Sequence, residues 1–502
     1  MRTLESGTLL EGDICIVGAG AAGITMAREW IGTPYKVLLL EGGGFNYEYE
    51  MQELYRGDIV GQRYYPLETA RLHYFGGTTG HWAGWCSLFE EIDFQKRDWV
   101  PHSGWPIRRS DLDPYYPRAQ PIVELGPYDY DAAHYEAQGP EMARLPLDES
   151  KVWPKMWQFS PPTRFGTKYR DEIVGAQNVH LFTYADVVDV EANEGVSNIR
   201  QLHLRTLEGK EYRAKARYYI LACGAMQNAR LLLASNKQAP KGLGNDNDLV
   251  GRFFMEHLEV PSAQLTLAAP RPMKLYLWVP GGTKARAELA ITAEEQRRQR
   301  ILNCTLSLSP GVEDVEQSDR IASFTENNAR YRDRSWNTGD GPHFDFAHQR
   351  QYGMMARLEQ APNPNSRITL SDEKDALGMP RVKLDWELTP LDRRSIRTTV
   401  EIVAREMGRT GLGRVQIDDW LLEPDDAPWP TALAAGWHHM GTVRMHEDPK
   451  QGVVDAHQKM HGVDNLYIAS TAVYTTAGEV NPTLTLIALT LRLSDYLKQV
   501  VA

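Results

Sequence analysis

Cysteine is scarce, with four in 502 residues. Cys15, Cys86, Cys223 and Cys304 show neither paired spacing nor metal-ligand spacing, which argues against a disulfide framework and a cysteine-built metal site. They read as small core residues in a reducing compartment, and no metal is expected. No apolar run approaches the roughly 18 residues of a membrane span. The opening MRTLESGTLLEGD has one arginine and no apolar stretch of the secretory kind, so the expectation is a soluble, cytoplasmic protein. Positive charge is also in deficit, 55 basic against 66 acidic side chains for a net charge of −11. That field repels phosphate backbones and anionic lipid, so neither nucleic acid nor a membrane surface is an expected partner. Internal repeats and long charge runs are missing. What remains is a globular composition, 42% apolar and 24% charged, in a chain long enough for roughly three domain equivalents around a cofactor.

The first forty residues carry the strongest local signal. Asp13-Ile-Cys-Ile-Val17 is a short apolar run, as expected of a parallel strand covered on both faces, and it leads into Gly18-Ala-Gly-Ala-Ala-Gly23. Ile24, Ala27 and Trp30 then fall on one helical face, Gly32-Thr33-Pro34 stops the helix, and Lys36-Val-Leu-Leu-Leu40 is a second buried strand ending at Glu41. In this βαβ unit Gly18 permits the tight turn, Gly20 lets a pyrophosphate approach the backbone, and Gly23 allows close packing of helix on sheet. Glu41 stands where an acid accepts ribose hydroxyls and repels a 2′-phosphate. The unit predicts dinucleotide binding without separating NAD from FAD.

Three further segments bear on that choice. Arg71-Leu-His-Tyr-Phe-Gly-Gly-Thr-Thr-Gly-His-Trp-Ala-Gly84 offers open backbone N–H groups and hydroxyls suited to a pyrophosphate or a flavin edge. Val179 to Val190 and Arg217 to Met226 read as strands extending the first sheet, the second passing through Gly224 into a helix. Gly436-Trp-His-His-Met-Gly-Thr-Val-Arg-Met445, Asn465 to Ser470 and Glu479-Val-Asn-Pro-Thr-Leu-Thr485 close the chain before an apolar helix from Leu486 to Leu497. With Val250-Gly-Arg-Phe-Phe-Met-Glu-His257 added, six ordered motifs resemble the glucose-methanol-choline (GMC) family of FAD-dependent alcohol oxidoreductases over nearly the whole chain. Within it the likeness is strongest to pyranose 2-oxidase and to bacterial sugar and glycoside oxidases and dehydrogenases.

The resemblance implies an α/β chain, α+β overall. A Rossmann-like FAD-binding domain, drawn from 1–95, 178–262 and 430–502, would interleave with a substrate domain, 96–177 and 263–429, built on an antiparallel sheet with helices. Locally, Ser366 to Leu370 and Arg381 to Trp386 alternate as a hairpin with Val382, Leu384 and Trp386 on one face. Thr389 and Pro390 open a helix whose apolar stripe is Ile396, Val400, Val403 and Met407. Residues 310 to 350 lack periodicity and are open to two readings, a substrate lid or an irregular insertion.

Oxidising an alcohol requires something neutral and basic near pH 7 to take the hydroxyl proton while a hydride leaves carbon, and histidine is the side chain best matched to that. The resemblance puts the catalytic base on His438 and its substrate-orienting partner on Asn481. It implies flavin contacts at Gly18, Gly20, Gly23, Glu41, Gly76, Gly77, Thr78, Thr79, His81, Trp82, Ala83, Val187, Val188, Gly224, Ala469, Ser470, Asn481, Pro482 and Thr483. His439 is read as structural, and Thr442 and Met445 as packing or pocket residues. The histidine matching His81 is bonded to the flavin in pyranose 2-oxidase and free in other relatives, so covalent and dissociable FAD both stay open. Where pyranose 2-oxidase has a threonine near the flavin this chain has Ala83, which leaves O2 and a quinone-type acceptor both open. The expected substrate is a sugar or glycoside, oxidised at a secondary hydroxyl such as C3 or C2 of a pyranose, by an enzyme whose oligomeric state is open and includes the monomer. The alternatives are oxidation of a nonsugar alcohol, a lyase with a structural flavin, and a non-catalytic flavin-binding subunit.

Overall fold

The computed structural model of the chain describes residues 4–277, 284–310 and 349–501. Ile14–Val17 and Val37–Leu40, buried at every position, pair in parallel with the helix Ala21–Glu29 between them. Cover on both faces is why neither strand alternates. Tyr218–Leu221 and Leu466–Ile468 extend this sheet on one side and Val179–Phe182 on the other, all in parallel. The helix Thr483–Val501, which begins earlier than Leu486, packs against Ala21–Glu29. The fingerprint and Glu41 therefore follow directly from the carboxyl ends of neighbouring strands, where open α/β sheets bind ligands.

One expected strand is two. The run Val179 to Val190 breaks at Tyr184, whose φ of 56° is left-handed. Only Val179–Phe182 joins the first sheet. Asp186–Ala192 turns away into a four-stranded sheet with Ile199–Arg205, Glu211–Lys215 and Leu9–Glu11. The run reads as continuous because Thr183 and Tyr184 are both good strand formers; the turn is set by tertiary contacts.

The largest sheet is antiparallel and eight-stranded. It runs Gly413–Ile417, His257–Leu267, Gln351–Glu359, Cys304–Pro310, Ala285–Ile291, Val152–Phe159 and Trp85–Cys86, with Ala434–Ala435 pairing on His257–Leu267. The helix Pro390–Arg409 covers it. Its capping box joins Thr389 to Asp392, whose carboxylate accepts the Thr389 N–H at 2.6 Å, and Ile396, Val400, Val403 and Met407 are fully buried. The hairpin Arg367–Lys374 with Pro380–Trp386 forms with Val382, Leu384 and Trp386 buried. It takes Gly57–Gly61 as a parallel third strand instead of joining the large sheet. The segment 310 to 350 lies, but for its ends, outside the described residues. The overall class is mixed α/β.

Candidate active site

Two backbone segments clasp the catalytic candidates together. Leu258 pairs with Ala435, the Gly436 N–H donates to the His257 carbonyl at 3.0 Å, and Met255 and Met440 bridge through their main chains. The loop 436–439 is thus pinned at both ends to 255–258, which puts His438 beside His257. A Cβ on Gly436 would lie 2.5 Å from His438 Nδ1, so only glycine fits there. Trp437 holds φ +60°, a conformation that strains a bulky residue, and lays its ring against His81 at 5.1 Å between centroids.

The ring nitrogens then sort themselves. His257 Nε2 lies 2.7 Å from the Gly478 carbonyl, an acceptor only, so Nε2 carries the proton and Nδ1 the lone pair. His438 Nδ1 is 2.8 Å from His257 Nδ1 and must donate to it. The lone pair of His438 is left on Nε2, 2.9 Å from the Asn481 amide Nδ2. Burial pushes His438 well below the usual histidine range, helped by the neighbouring His257 ring and by the positive field of Arg357. His257 is pushed down to about 4, again chiefly by burial. Both rings are neutral near pH 7. Asn481 stands before Pro482, which favours extended backbone, and its Oδ1 has no partner. Asn481 Nδ2 donates to that lone pair and keeps a second N–H, so an alcohol entering between the two would exchange this bond for one to each of its own donor and acceptor.

Behind the pair, Glu256 accepts the backbone N–H of His438 at 2.7 Å and a hydrogen bond from the Tyr64 hydroxyl. Tyr64 Oη is 2.8 Å from His439 Nε2. Burial pushes Glu256 up to about 8 and His439 well down. His439 therefore belongs to the buried scaffold under the loop. Thr442 donates to the Ala225 carbonyl at 2.8 Å and Met445 is fully buried, both in packing positions.

The remaining candidates fall into two groups. Gly18, Glu41, Val187 and Val188 line one cleft, with Tyr55, Gln227 and Arg230 among their neighbours. Glu41 is 5% exposed and accepts the Ala19 and Gly43 N–H groups at 2.8 and 3.0 Å, and burial raises its carboxyl above the usual range. Gly23 packs so tightly that a Cβ would meet the Gly18 carbonyl at 1.8 Å, whereas the space over Gly20 is open. Gly76 donates to the Ala19 carbonyl at 2.8 Å, so the segment Gly77–Gly80 lies over the fingerprint. Thr79 is committed internally, donating to the Gly76 carbonyl at 2.6 Å and accepting the Phe165 N–H. Thr78 accepts the Leu72 N–H at 3.5 Å, Trp82 donates to the Thr163 carbonyl, and Ala83 is exposed. Gly224 opens the helix Gly224–Ala234, Ala469 and Ser470 are buried beside Leu221 and Ala472, and Thr483 starts the last helix.

His81 links the groups. It stacks on Trp437, neither of its ring nitrogens finds a partner, and burial pushes it down to about 3. Two unpaired buried nitrogens between the glycine-rich segment and the His438 loop are what a missing planar, polar-edged group leaves behind. With the open space over Gly20, the residues present fit a flavin dinucleotide. Among the described residues no His, Cys, Asp or Glu cluster could hold a metal ion, and no helix is long and apolar enough to cross a membrane.

Sequence reasoning quoted Met255-Glu-His257 as part of a motif and gave it no role. Its Glu and His turn out to hold the loop and to fix the proton on His438. Tyr64 and Trp437 were likewise missed; only adjacency to the histidine pair marked Trp437.

Residues 13–348 match the family described as FAD dependent oxidoreductase, and residues 362–490 that described as GMC oxidoreductase. The 2-methyl-1,2-propanediol dehydrogenase of Mycolicibacterium austroafricanum is 24% identical, covering 97% of this chain and 95% of that protein. The fructose dehydrogenase large subunit of Gluconobacter japonicus is 24% identical over 98% of each. A C-glycoside 3-oxidase of Microbacterium trichothecenolyticum is 36% identical over 131 residues, 26% of this chain and 23% of that one. In fold the chain is similar to pyridoxine 4-oxidase from Mesorbium loti, with a TM-score of 0.57, 17% identity, and 97% and 99% of the two chains covered.

Proposed function

The chain belongs to the FAD-dependent GMC oxidoreductases, and on that premise we propose that it oxidises a secondary hydroxyl of a sugar or glycoside, C3 or C2 of a pyranose, to a ketone. The observation that carries the reading is the hydrogen-bonded file from Gly478 through His257 to His438, which leaves a lone pair at Nε2 beside the Asn481 amide. FAD supplies the hydride acceptor. His438 Nε2 takes the hydroxyl proton of the substrate, and Asn481 Nδ2 donates to the same oxygen and fixes its direction. The field of Arg357 and the dry surroundings make the resulting imidazolium acidic, so the proton is readily passed on.

In this reading Gly18, Gly20, Gly23, Gly76 and Gly77 carry the pyrophosphate, Glu41 the ribose, and Val187 and Val188 the adenine. His81 contacts the flavin through a ring nitrogen. Acid precipitation distinguishes a bond from a contact: flavin that stays with the pellet is covalently held, and flavin in the supernatant is not. The domain partition that goes with it is 1–95, 178–262 and 430–502 for FAD and 96–177 and 263–429 for substrate. With no hydroxyl at Ala83, a quinone-type acceptor is preferred to O2. A cytoplasmic enzyme is the form proposed, with the oligomeric state open and the monomer included.

Relatives named for fructose and for C-glycosides support the sugar assignment. One named for a propanediol supports a second reading, a small nonsugar alcohol. An anaerobic screen of glycosides, free sugars and diols tests both. Bleaching of the flavin by a glycoside or sugar is the expected result, and bleaching by diols alone would overturn the sugar assignment.

A further inference from the structure

A second cleft, of about 400 Å³, shares no lining residue with the cleft at Gly18 and Glu41. Its walls come from 247–249, 252–253, 444, 446 and 450–451, together with His102, Ser103 and Pro364. One of the lining residues is Arg444, only 2% exposed. Among the described residues no carboxylate lies within 4 Å of this guanidinium, and its Nε has no partner. Burial alone pushes it down to about 10. A buried cation without a counter-ion is costly, and chains seldom keep one unless something else completes the pair.

The surroundings hold Arg444 in place without neutralising it. One Nη donates to the His102 carbonyl, and the guanidinium lies over the Phe253 ring at 4.3 Å. His102 and Phe253 have φ of 61° and 59°, left-handed values that strain non-glycine residues, and a third wall residue, Asp248, has φ 54°. Of nine such residues described, three line this cleft. Arg252 also faces it, fixed by Asp248 and by the Pro364 carbonyl at 2.9 Å. Asp248 is shared with Arg367 at 3.0 Å, so one carboxylate serves two guanidiniums. Lys450 stands at the rim near Asp448. Of the residues that line it, Arg252, Arg444 and Lys450 are cationic and Asp248 is acidic, which leaves a cationic cleft.

We propose that this cleft is a binding site for a small oxyanionic ligand, a phosphate or carboxylate group held by Arg444 and Arg252 with Lys450 at the rim. A guanidinium presents parallel N–H groups that suit either anion, and the volume accommodates an organic anion larger than phosphate itself. The site is separate from the flavin cleft and does not depend on which alcohol is oxidised.

The test uses FAD-loaded holoenzyme, so that the pyrophosphate site is already filled. Inorganic phosphate and citrate are titrated separately at constant ionic strength against chloride, followed by calorimetry and by the thermal midpoint. Saturable binding to the wild type is expected, with Arg444→Gln weakening it by roughly ten- to a hundredfold, the range for loss of a charge-assisted hydrogen bond. If Arg444→Gln does not fold, Lys450→Glu places a negative charge at the exposed rim without touching the core and is expected to weaken binding as well. A preference between the two anions identifies the natural chemistry as phosphate or carboxylate. Absence of saturable binding, or binding unchanged in Lys450→Glu and in any folded Arg444→Gln, would overturn the proposal.

Discussion

Replacing His257 with Phe isolates the part of the account that sequence did not supply. The ring keeps its plane and nearly its volume in a fully buried site, but the acceptor 2.8 Å from His438 Nδ1 disappears. A buried N–H left without a partner costs about 1–3 kcal/mol. His438 escapes that cost by rotating, or by moving its proton to Nε2, and either move removes the lone pair from the substrate. At about 1.4 kcal/mol per tenfold in rate, flavin reduction should slow by roughly fivefold to 150-fold. His257→Asn should recover much of the loss, because its amide oxygen reaches the position of Nδ1 as an acceptor. The assay is anaerobic stopped-flow bleaching of the flavin at saturating substrate, with flavin content measured for each variant. A Phe variant that keeps its flavin and reduces it at the wild-type rate would refute the relay. Equal slowing in Phe and Asn would reduce His257 to a packing role.

Two further outcomes follow from the geometry. Gly23→Ala drives a methyl group to 1.8 Å from the Gly18 carbonyl, so purified protein should lose bound FAD and thermal stability, and a yellow variant with an unchanged midpoint would contradict the close packing. Because burial holds His438 below the usual range, the neutral base persists as pH falls through 6.5, and the rate of flavin reduction should drop only at lower pH. Stability behaves differently. Below about pH 6.5 an unfolded histidine binds a proton that buried His81, His257 and His438 refuse, so unfolding is favoured by about 1.4 kcal/mol per pH unit for each. Glu256, held up to about 8, acts in the opposite direction, so the histidine part is read by difference: between pH 7.5 and 5.5 His257→Phe should lose less stability than the wild type in denaturant unfolding, and an equal change in both would contradict it.

The parts legible in the sequence were those fixed by local chemistry. The βαβ opening was readable because apolar strand, spaced glycines, helical stripe and terminal acid lie within thirty residues of one another. The helix after Thr389 was readable from its cap and its stripe. What escaped was tertiary. Val179 to Val190 reads as one strand because nothing local announces the left-handed Tyr184. The third strand beside the hairpin, Gly57–Gly61, lies more than three hundred residues away in the chain. The histidine at 438 was visible, whereas the group that fixes its proton sits at 257, and the backbone pairing of 255–259 with 434–440 brings the two together. Arg444 was quoted within a motif and showed no sign of being buried without a counter-ion.

The central claim is that His438 Nε2 takes the substrate proton, and single-turnover reduction of His438→Ala tests it most directly. The side chain is partly buried in a loop anchored by backbone bonds, so the variant should fold and keep its flavin. With a substrate that bleaches the wild type, the account predicts reduction slower by roughly two to four orders of magnitude at neutral pH. A flavin-replete His438→Ala enzyme that is bleached as fast as the wild type would contradict it.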